Sequence, residues 1–440
     1  MNVLIFLPLL LAQTLAVGRN IPWGSLPFQL GRLLWLAATA LLVVLAVLRR
    51  LPRREQWGAW LHHRGALGTW AVLNFAYLGM STVRFAPMGY EFPWFALIGA
   101  GLALAVLFLP GSARRPELLV GAAFGLNLVV LIGSILHFPV NPLRSDMLPV
   151  IQKGLDLWSA GSSPYSLFEM AGRTNRMGYL PGTLFMNWPA WALGLDLRWN
   201  TVLYRSAWML LVWIRLRKTQ SFGTSAAGAL VWLALSPYMN FRHELYFEGF
   251  ILGLVLLVLY PAAWVFLLPA LVISRQWAWV MTPFWALTLV SNSWRTNLRR
   301  VLLLGGASLA LVGGLVALLY SSTSFGEVWK VIFWFQGAVQ STEYPGDYGL
   351  TFSPVFYALG ISGWQQRVQG LIVLVFLVLA FRDRANSRRV LAWSASAWAF
   401  FLLLNGHYWL YFWNSLLVYL AVLELDAQAP EITRVTQATS

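Results

Sequence analysis

Long apolar segments, separated by short and mostly basic loops, run through almost the whole sequence. Apolar residues make up 59% of the 440 positions and charged residues only 11%, whereas an ordinary soluble domain carries about a quarter charged residues. A water-soluble fold of this size could not bury so much apolar surface. The pattern therefore predicts an all-α, polytopic membrane protein, because helices satisfy their own backbone hydrogen bonds in lipid.

A membrane-spanning helix needs roughly 17–25 mostly apolar residues, and the segments that approach this length predict about 12–14 transmembrane helices. They lie at 3–17, 27–48, 66–83, 93–110, 117–137, 201–215, 225–241, 246–260, 262–275, 277–292, 301–320, 367–381, 390–404 and 409–423. Residues 179–194 are also apolar but contain Pro181 and Pro189. We therefore expect a re-entrant or interfacial piece there rather than a span.

Short basic loops orient the predicted helices by the positive-inside rule. They lie at 49–54, 114–115, 215–218, 295–300 and 382–389. The predicted spans place all of these loops on one side, which the rule identifies as the cytoplasm, together with both termini. The segments 141–199, 242–248, 321–367 and 405–409 then fall on the outer side. An additional crossing at 179–194 would move the loop 215–218 outside, which is a second reason to exclude a span there.

The predicted organisation has three parts. Residues 1–116 are N-terminal transmembrane helices, 117–423 are a transmembrane core with outer loops at 138–200 and 321–366, and 424–440 are a cytoplasmic tail. We expect short amphipathic helices in the outer loops. The net charge of +15 is explained by the basic cytoplasmic loops, so we expect no nucleic-acid partner. The sequence has no cysteine, which excludes disulfides.

The longest polar break, residues 141–199, is the strongest candidate for a functional loop. Asp146 follows the predicted span 117–137 closely and lies near Arg144. A carboxylate at this boundary could act as a general base that takes a proton from a sugar hydroxyl. The structural alternative is an aspartate that caps a helix or pairs with a neighbouring arginine.

An arginine between two apolar segments, Arg275, is a candidate for phosphate binding. A charge at this depth should face a cavity or a partner, and a planar guanidinium matches a phosphate diester. The alternative is an interfacial arginine whose head group extends to water. His407 and Tyr408 lie in a short outer turn flanked by aromatic residues, where the histidine could bind a ligand or serve as a structural hydrogen-bonding group.

Arg242, Glu244 and Glu248 form a charged cluster before another apolar segment. Either glutamate could hold Arg242 or bind the hydroxyl groups of an acceptor. The cluster lacks a His-Glu-x-x-His pattern, so we expect no metal there.

The order of motifs resembles the first outer loop of GT-C glycosyltransferases. The motifs are Asp146 after a span, Gly-Ser-Ser-Pro-Tyr at 161–165, Tyr-Leu-Pro at 179–181, and Pro189. The chain is most similar to the polyprenol-phosphate-mannose-dependent mannosyltransferases of glycosyltransferase family 87, over residues 117–423. It differs from them in the additional spans before the loop and in the sequence at 243–249, where the family has Gly-Gln-x-Asn.

The resemblance implies a catalytic base at Asp146 and contacts from Arg275 and His407 to a lipid-linked phosphate. It also implies that Tyr165 and Tyr179 belong to the substrate site.

The resulting hypothesis is a glycosyltransferase that moves a hexose, with mannose as the first candidate, from a polyprenyl-phosphate donor to a lipid or glycan acceptor. Direct attack would invert the anomeric centre, and no cofactor is expected. The resemblance implies a prokaryotic plasma membrane with the reaction on its extracytoplasmic side. Two other classes remain open. One is a transporter or flippase of lipid-linked glycans, which often shows repeats and polar groups at the membrane midplane, and the other is a glycan polymerase or ligase.

Overall fold

A computed structural model describes residues 116–142, 147–218, 247–260, 264–275, 277–290, 359–404 and 410–427, together with isolated positions between 230 and 356. The spans predicted before residue 111 and most of the predicted outer loop 321–366 lie outside the described residues. Within the described ranges the chain is mostly helical, as the sequence predicts.

The helices are α1 (Pro116–His137), α2 (Met147–Ser159), α3 (Gly182–Ala192), α4 (Arg198–Arg217), α5 (Glu248–Leu259), α6 (Trp264–Ser274), α7 (Trp277–Val290), α8 (Gln365–Arg382), α9 (Ser387–Leu403) and α10 (Leu410–Ala427). Strands β1 (Phe168–Met170) and β2 (Arg173–Asn175) pair antiparallel between α2 and α3.

Several helices coincide with predicted spans but extend beyond them. Helix α4 begins before the predicted span 201–215, because the side chain of Asp196 accepts the backbone N–H of Arg198 at 2.9 Å and so satisfies a donor at the helix start. Helix α10 continues past the predicted end at residue 423 to Ala427. In its last turn, Asp426 pairs with Arg215 of α4 at 2.8 Å.

Two described helices are long and apolar enough to cross a membrane, namely Val120–His137 within α1 and Gln365–Arg382, which is α8. Helix α5 and residues 414–423 of α10 are apolar but shorter. Prolines inside α6 and α7, Pro269 and Pro283, interrupt other predicted spans locally. The described part of the chain therefore contains fewer helices of spanning length than the sequence predicts for the whole.

Helices α1 and α4 pack as antiparallel neighbours. At one end, Nη1 of Arg198 donates a hydrogen bond of 2.5 Å to the carbonyl of Phe138. At the other end, Nε1 of Trp213 donates to the carbonyl of Glu117 at 2.9 Å. The chain thus leaves α1 and enters α4 at the same end, which we call the loop end, and residues 139–197 form an excursion that returns to its starting level.

Large aromatic side chains join the packed helices. Helix α5 packs against α4 and α10, and α9 packs against α7, α8 and α10. The ring centroids of Phe124 and Trp208 are 5.7 Å apart across α1 and α4, and those of Phe250 and Trp398 are 6.2 Å apart across α5 and α9. Buried rings of this size contribute much of the packing energy of a helical core.

The excursion carries the short amphipathic helix that the sequence predicts. In α2, Leu148, Ile151 and Leu155 are buried, whereas Gln152 and Lys153 are exposed. The buried face packs against α3, so α2 is attached to the helical body by its apolar side.

A β-hairpin follows the Gly-Ser-Ser-Pro-Tyr turn, where the sequence alone indicates an irregular loop. Phe168 pairs with Asn175 and Met170 with Arg173. The two turn residues, Ala171 and Gly172, have φ values of 52° and 74°, which is the conformation that a two-residue hairpin turn requires. Alanine is unusual at such a position, and this explains why the hairpin is hard to predict.

The apolar stretch 179–194 contains an eleven-residue helix, α3, whose length of about 16 Å is half of what a membrane span requires. Pro189 lies inside it and interrupts its hydrogen-bond ladder. Residues of α4 bind two backbone groups next to this interruption. The N–H of Ala190 donates to Oδ1 of Asn200 at 3.1 Å, and the hydroxyl of Tyr204 donates to the carbonyl of Met186 at 2.6 Å.

Candidate functional site

Arg275 lies at the loop end of the bundle, directly after α6, and is 5% exposed. Its guanidinium carbon is 4.4 Å from the ring centroid of Phe247 and 5.5 Å from that of Tyr179. Aromatic faces attract a cation more strongly when water is excluded. The three side chains therefore hold a desolvated positive charge, where the attraction for an anion is stronger than at a hydrated surface.

Tyr179 is fixed by the turn at 161–165. The hydroxyl of Tyr165 donates a hydrogen bond of 3.1 Å to the carbonyl of Tyr179. Tyr165 is itself buried, and its backbone N–H donates to Oγ of Ser163 at 3.2 Å. We call the group of Tyr165, Tyr179, Phe247 and Arg275 the Arg275 site.

The start of α3 docks against the end of α6 and so sets the distance between Tyr179 and Arg275. Oγ1 of Thr183 donates to the carbonyl of Ser274 at 3.2 Å. At Gly182, an added Cβ would come within 2.9 Å of the backbone of Ile273, so this contact is as close as a glycine permits. The chain segments on either side of the Arg275 site are therefore packed backbone to backbone.

Three of the sequence-predicted site residues thus form one connected group, in which Arg275 comes from a distant part of the chain. Tyr165 belongs to the Gly-Ser-Ser-Pro-Tyr turn, Tyr179 to the Tyr-Leu-Pro motif, and Arg275 to the α6–α7 connection. Phe247 completes the group, and sequence reasoning missed it. Phe247 directly precedes Glu248 of the charged cluster, and this position could have identified it as a candidate.

Glu248 has a different environment from the one proposed for a residue that binds hydroxyl groups. It is 4% exposed, and its Oε1 lies 2.5 Å from Nη2 of Arg205. Its Oε2 accepts a hydrogen bond of 2.7 Å from Nε1 of Trp208. Both carboxylate oxygens are therefore engaged by donors of α4, which gives Glu248 a structural role in joining α5 to α4.

Arg205 also connects this ion pair to Asn127 of α1. Nη1 of Arg205 donates to Oδ1 of Asn127 at 3.2 Å, and Nδ2 of Asn127 donates to the carbonyl of Ala234 at 2.8 Å. A buried network of this kind is favourable when its members are satisfied. Sequence reasoning missed Arg205, although an arginine inside an apolar helix is a recognisable signal of a buried partner.

Six predicted site residues lie outside the described residues: Arg144, Asp146, Arg242, Glu244, His407 and Tyr408. The proposed base, Asp146, directly precedes α2 in the sequence. Among the described residues, no group of three or more His, Asp or Glu side chains could hold a metal ion.

Comparison of the chain with protein-family models, with curated proteins and with solved structures finds no match in any of the three.

Proposed function

We propose that this chain is a polytopic membrane glycosyltransferase of the GT-C type, which transfers a hexose from a polyprenyl-phosphate donor to a lipid or glycan acceptor at the outer face. One observation carries the proposal. Tyr179 and Arg275, taken from different parts of the GT-C resemblance, meet at the loop end around one desolvated positive charge, and Tyr165, from a third part, binds the backbone of Tyr179.

The membrane component of the proposal is supported by the inverted polarity of α8. Gln365 and Gln369 of this helix are buried, and their amides donate to backbone carbonyls of Leu404 and Phe401. Between residues 370 and 381 its exposed large side chains are all apolar, each at least half exposed: Leu371, Leu374, Val375, Val378 and Phe381. An apolar exterior along the middle of the helix, with exposed polar residues at its two ends, suits a helix that is solvated by lipid.

The ends of the helices support the orientation. Arg215 and Asp426 bring the ends of α4 and α10 together, at the end of the bundle where Trp213 meets the start of α1. The basic end of α4 and the end of α10 lie at the same end of the bundle, which supports the proposal that both face the cytoplasm.

The chain has no cysteine, so single-cysteine variants test this orientation directly. Arg173→Cys in the exposed hairpin should react with a membrane-impermeant maleimide on intact cells. The matched variant Ala385→Cys, exposed in the turn between α8 and α9, should react after permeabilisation alone. Labelling of Ala385→Cys on intact cells would contradict the proposed topology.

The proposed reaction needs one base and one phosphate-binding cation. Asp146 would take the proton from the acceptor hydroxyl as that oxygen attacks the anomeric carbon of the donor. The bond between the anomeric carbon and the phosphate oxygen breaks, and the polyprenyl phosphate leaves with the electron pair. Arg275, with His407, would stabilise the negative charge that grows on this phosphate. A single displacement of this kind inverts the anomeric configuration.

The experiment that tests the proposed base measures transfer of radiolabelled mannose from polyprenyl-phosphate-mannose by membranes that contain the wild type or Asp146→Asn. Transfer should fall by about 10²–10⁴-fold in the variant at equal protein level. Lys153→Gln, which removes a charge at an exposed position of α2, should leave transfer unchanged. Equal transfer by Asp146→Asn and the wild type would contradict the role of Asp146, and a product with retained configuration would contradict direct displacement.

A transporter or flippase of lipid-linked glycans is the second candidate, and the buried network of Arg205, Glu248 and Asn127 favours it. Ionisable residues inside a membrane bundle often mark a transport pathway. Proteoliposomes distinguish the two functions: a flippase should move labelled polyprenyl-phosphate-mannose across the bilayer without forming a glycosylated product, whereas the transferase should form product from donor and acceptor on one side.

A further inference from the structure

Helix α3 has both of its polar side chains inside, and its most exposed large side chain is apolar. The polar side chains of α3, Thr183 and Asn187, are both 0% exposed, and they hydrogen-bond to the carbonyl of Ser274 and to that of Thr183. In contrast, Trp188 is 48% exposed. A helix at a water-facing surface has the opposite distribution, with polar groups outward.

The exposed apolar surface continues past the end of α3. Leu193 is 73% exposed and Leu195 is 49% exposed. The sequence contains no charged residue between Arg176 and Asp196, so no charged side chain of this segment interrupts the surface. On the adjoining helix α4, Leu203 and Leu210 are also more than half exposed.

The backbone groups of α3 next to Pro189 are bound by side chains of α4. Pro189 interrupts the helical ladder, and Asn200 and Tyr204 of α4 bind the neighbouring N–H and C=O groups of α3. These bonds lie on the side of α3 that faces α4, where Ala190 and Asn200 are buried. The protein therefore satisfies the backbone groups next to Pro189 without water, as a helix in contact with lipid requires.

We propose that α3 lies in the outer interface of the membrane, with Trp188, Leu193 and Leu195 inserted among the lipid acyl chains. The proposal rests on the membrane component of the proposed function and does not depend on glycosyl transfer. Helix α3 does not cross the bilayer, because the hydrogen bond between Arg198 and Phe138 returns the excursion to the loop end. The indole of Trp191 marks the polar boundary, since its Nε1 donates to the exposed carboxylate of Asp156 at 2.9 Å.

The lipid contact has a consequence for the Arg275 site. The start of α3 is packed against the residues that precede Arg275, through Gly182 on Ile273 and Thr183 on Ser274. A helix held at a fixed depth by lipid therefore also fixes the depth of Arg275. The guanidinium would then lie where the phosphate group of a membrane lipid lies, while the acyl chain remains in the bilayer.

Nitroxide labels on single cysteines test the proposal in liposomes of phosphatidylglycerol and phosphatidylethanolamine. The test sites are Trp188→Cys and Leu193→Cys. Leu210→Cys is the reference for a lipid-facing position and Arg173→Cys the reference for a water-facing one. Collision rates with oxygen, which concentrates in lipid, and with a water-soluble nickel chelate give the depth of each label.

We expect both test labels to collide preferentially with oxygen, as Leu210→Cys does, at a depth of about 5–10 Å below the lipid phosphates. Preferential collision with the nickel chelate, as expected for Arg173→Cys, would overturn the proposal. Immobile labels that neither reagent reaches would also overturn it, because protein would then cover the surface. Dipolar coupling between labels on two copies would identify that cover as a second copy of the chain, and its absence would identify another segment of the same chain.

Discussion

Phe247 and Glu248 are consecutive in the sequence, yet each contacts a different buried arginine. The ring of Phe247 lies 4.4 Å from the guanidinium carbon of Arg275, while Glu248 forms an ion pair of 2.5 Å with Arg205. The start of α5 therefore connects a structural ion pair in the core with the Arg275 site. A substitution that moves Glu248 should therefore also move Phe247 against Arg275, because the two residues are joined by one peptide bond.

Arg205→Met should destabilise the protein by about 3–5 kcal/mol, because it leaves the carboxylate of Glu248 buried without its ionic partner. The double variant Arg205→Met/Glu248→Leu should recover most of this loss, since an apolar pair of similar volume needs no charge compensation. Equilibrium unfolding in mixed micelles measures the free energy of unfolding of both variants. A single variant as stable as the wild type, or a double variant no better than the single one, would contradict this account.

Gly182→Ala should lower stability by about 1–3 kcal/mol and should also reduce any activity that depends on Arg275. The new methyl group would come within 2.9 Å of the backbone of Ile273, so α3 and α6 would have to move apart. Gly178→Ala is the matched control, because a Cβ there meets no heavy atom within 4 Å. If the two variants unfold at the same denaturant concentration, the close approach of α3 to α6 is wrong.

Arg198→Met tests the closure of the excursion. The variant loses the hydrogen bond to the carbonyl of Phe138 and the pair with Asp196, and a cost of about 1–3 kcal/mol is expected for the buried groups left behind. Arg389→Met makes the same change at an exposed pair with Asp383, where less than about 1 kcal/mol is expected. Equal unfolding midpoints for the two variants would show that the 139–197 excursion is not held by Arg198.

The sequence predicts the helical elements well where apolar runs are uninterrupted. The segments 117–137 and 367–381 correspond closely to α1 and α8, because a continuous apolar run of this length indicates a helix. The short α3 was harder to foresee as a helix. Its internal Pro189 argues against one, and the compensating bonds come from Asn200 and Tyr204 on another helix.

The candidate site was predicted in part. Tyr165, Tyr179 and Arg275 could be chosen from motifs and from the cost of a charge near lipid. The contact between Tyr179 and Arg275 could not, since it depends on how α3 packs against α6. The role of Glu248 also depends on tertiary structure: its partner, Arg205, lies on a different helix 43 residues earlier in the chain, and no local pattern connects the two.

The most direct test of the proposed phosphate site is transfer of labelled mannose from polyprenyl-phosphate-mannose by Arg275→Gln. Its matched control is Arg367→Gln, because Arg367 is also stacked on an aromatic ring, Trp364, but is exposed. We expect transfer to fall by about 10²–10³-fold in Arg275→Gln and to remain near the wild-type rate in Arg367→Gln. Arg275→Lys, which retains the charge, should show an intermediate rate. Wild-type transfer by Arg275→Gln would contradict the central claim that this buried arginine binds the donor phosphate.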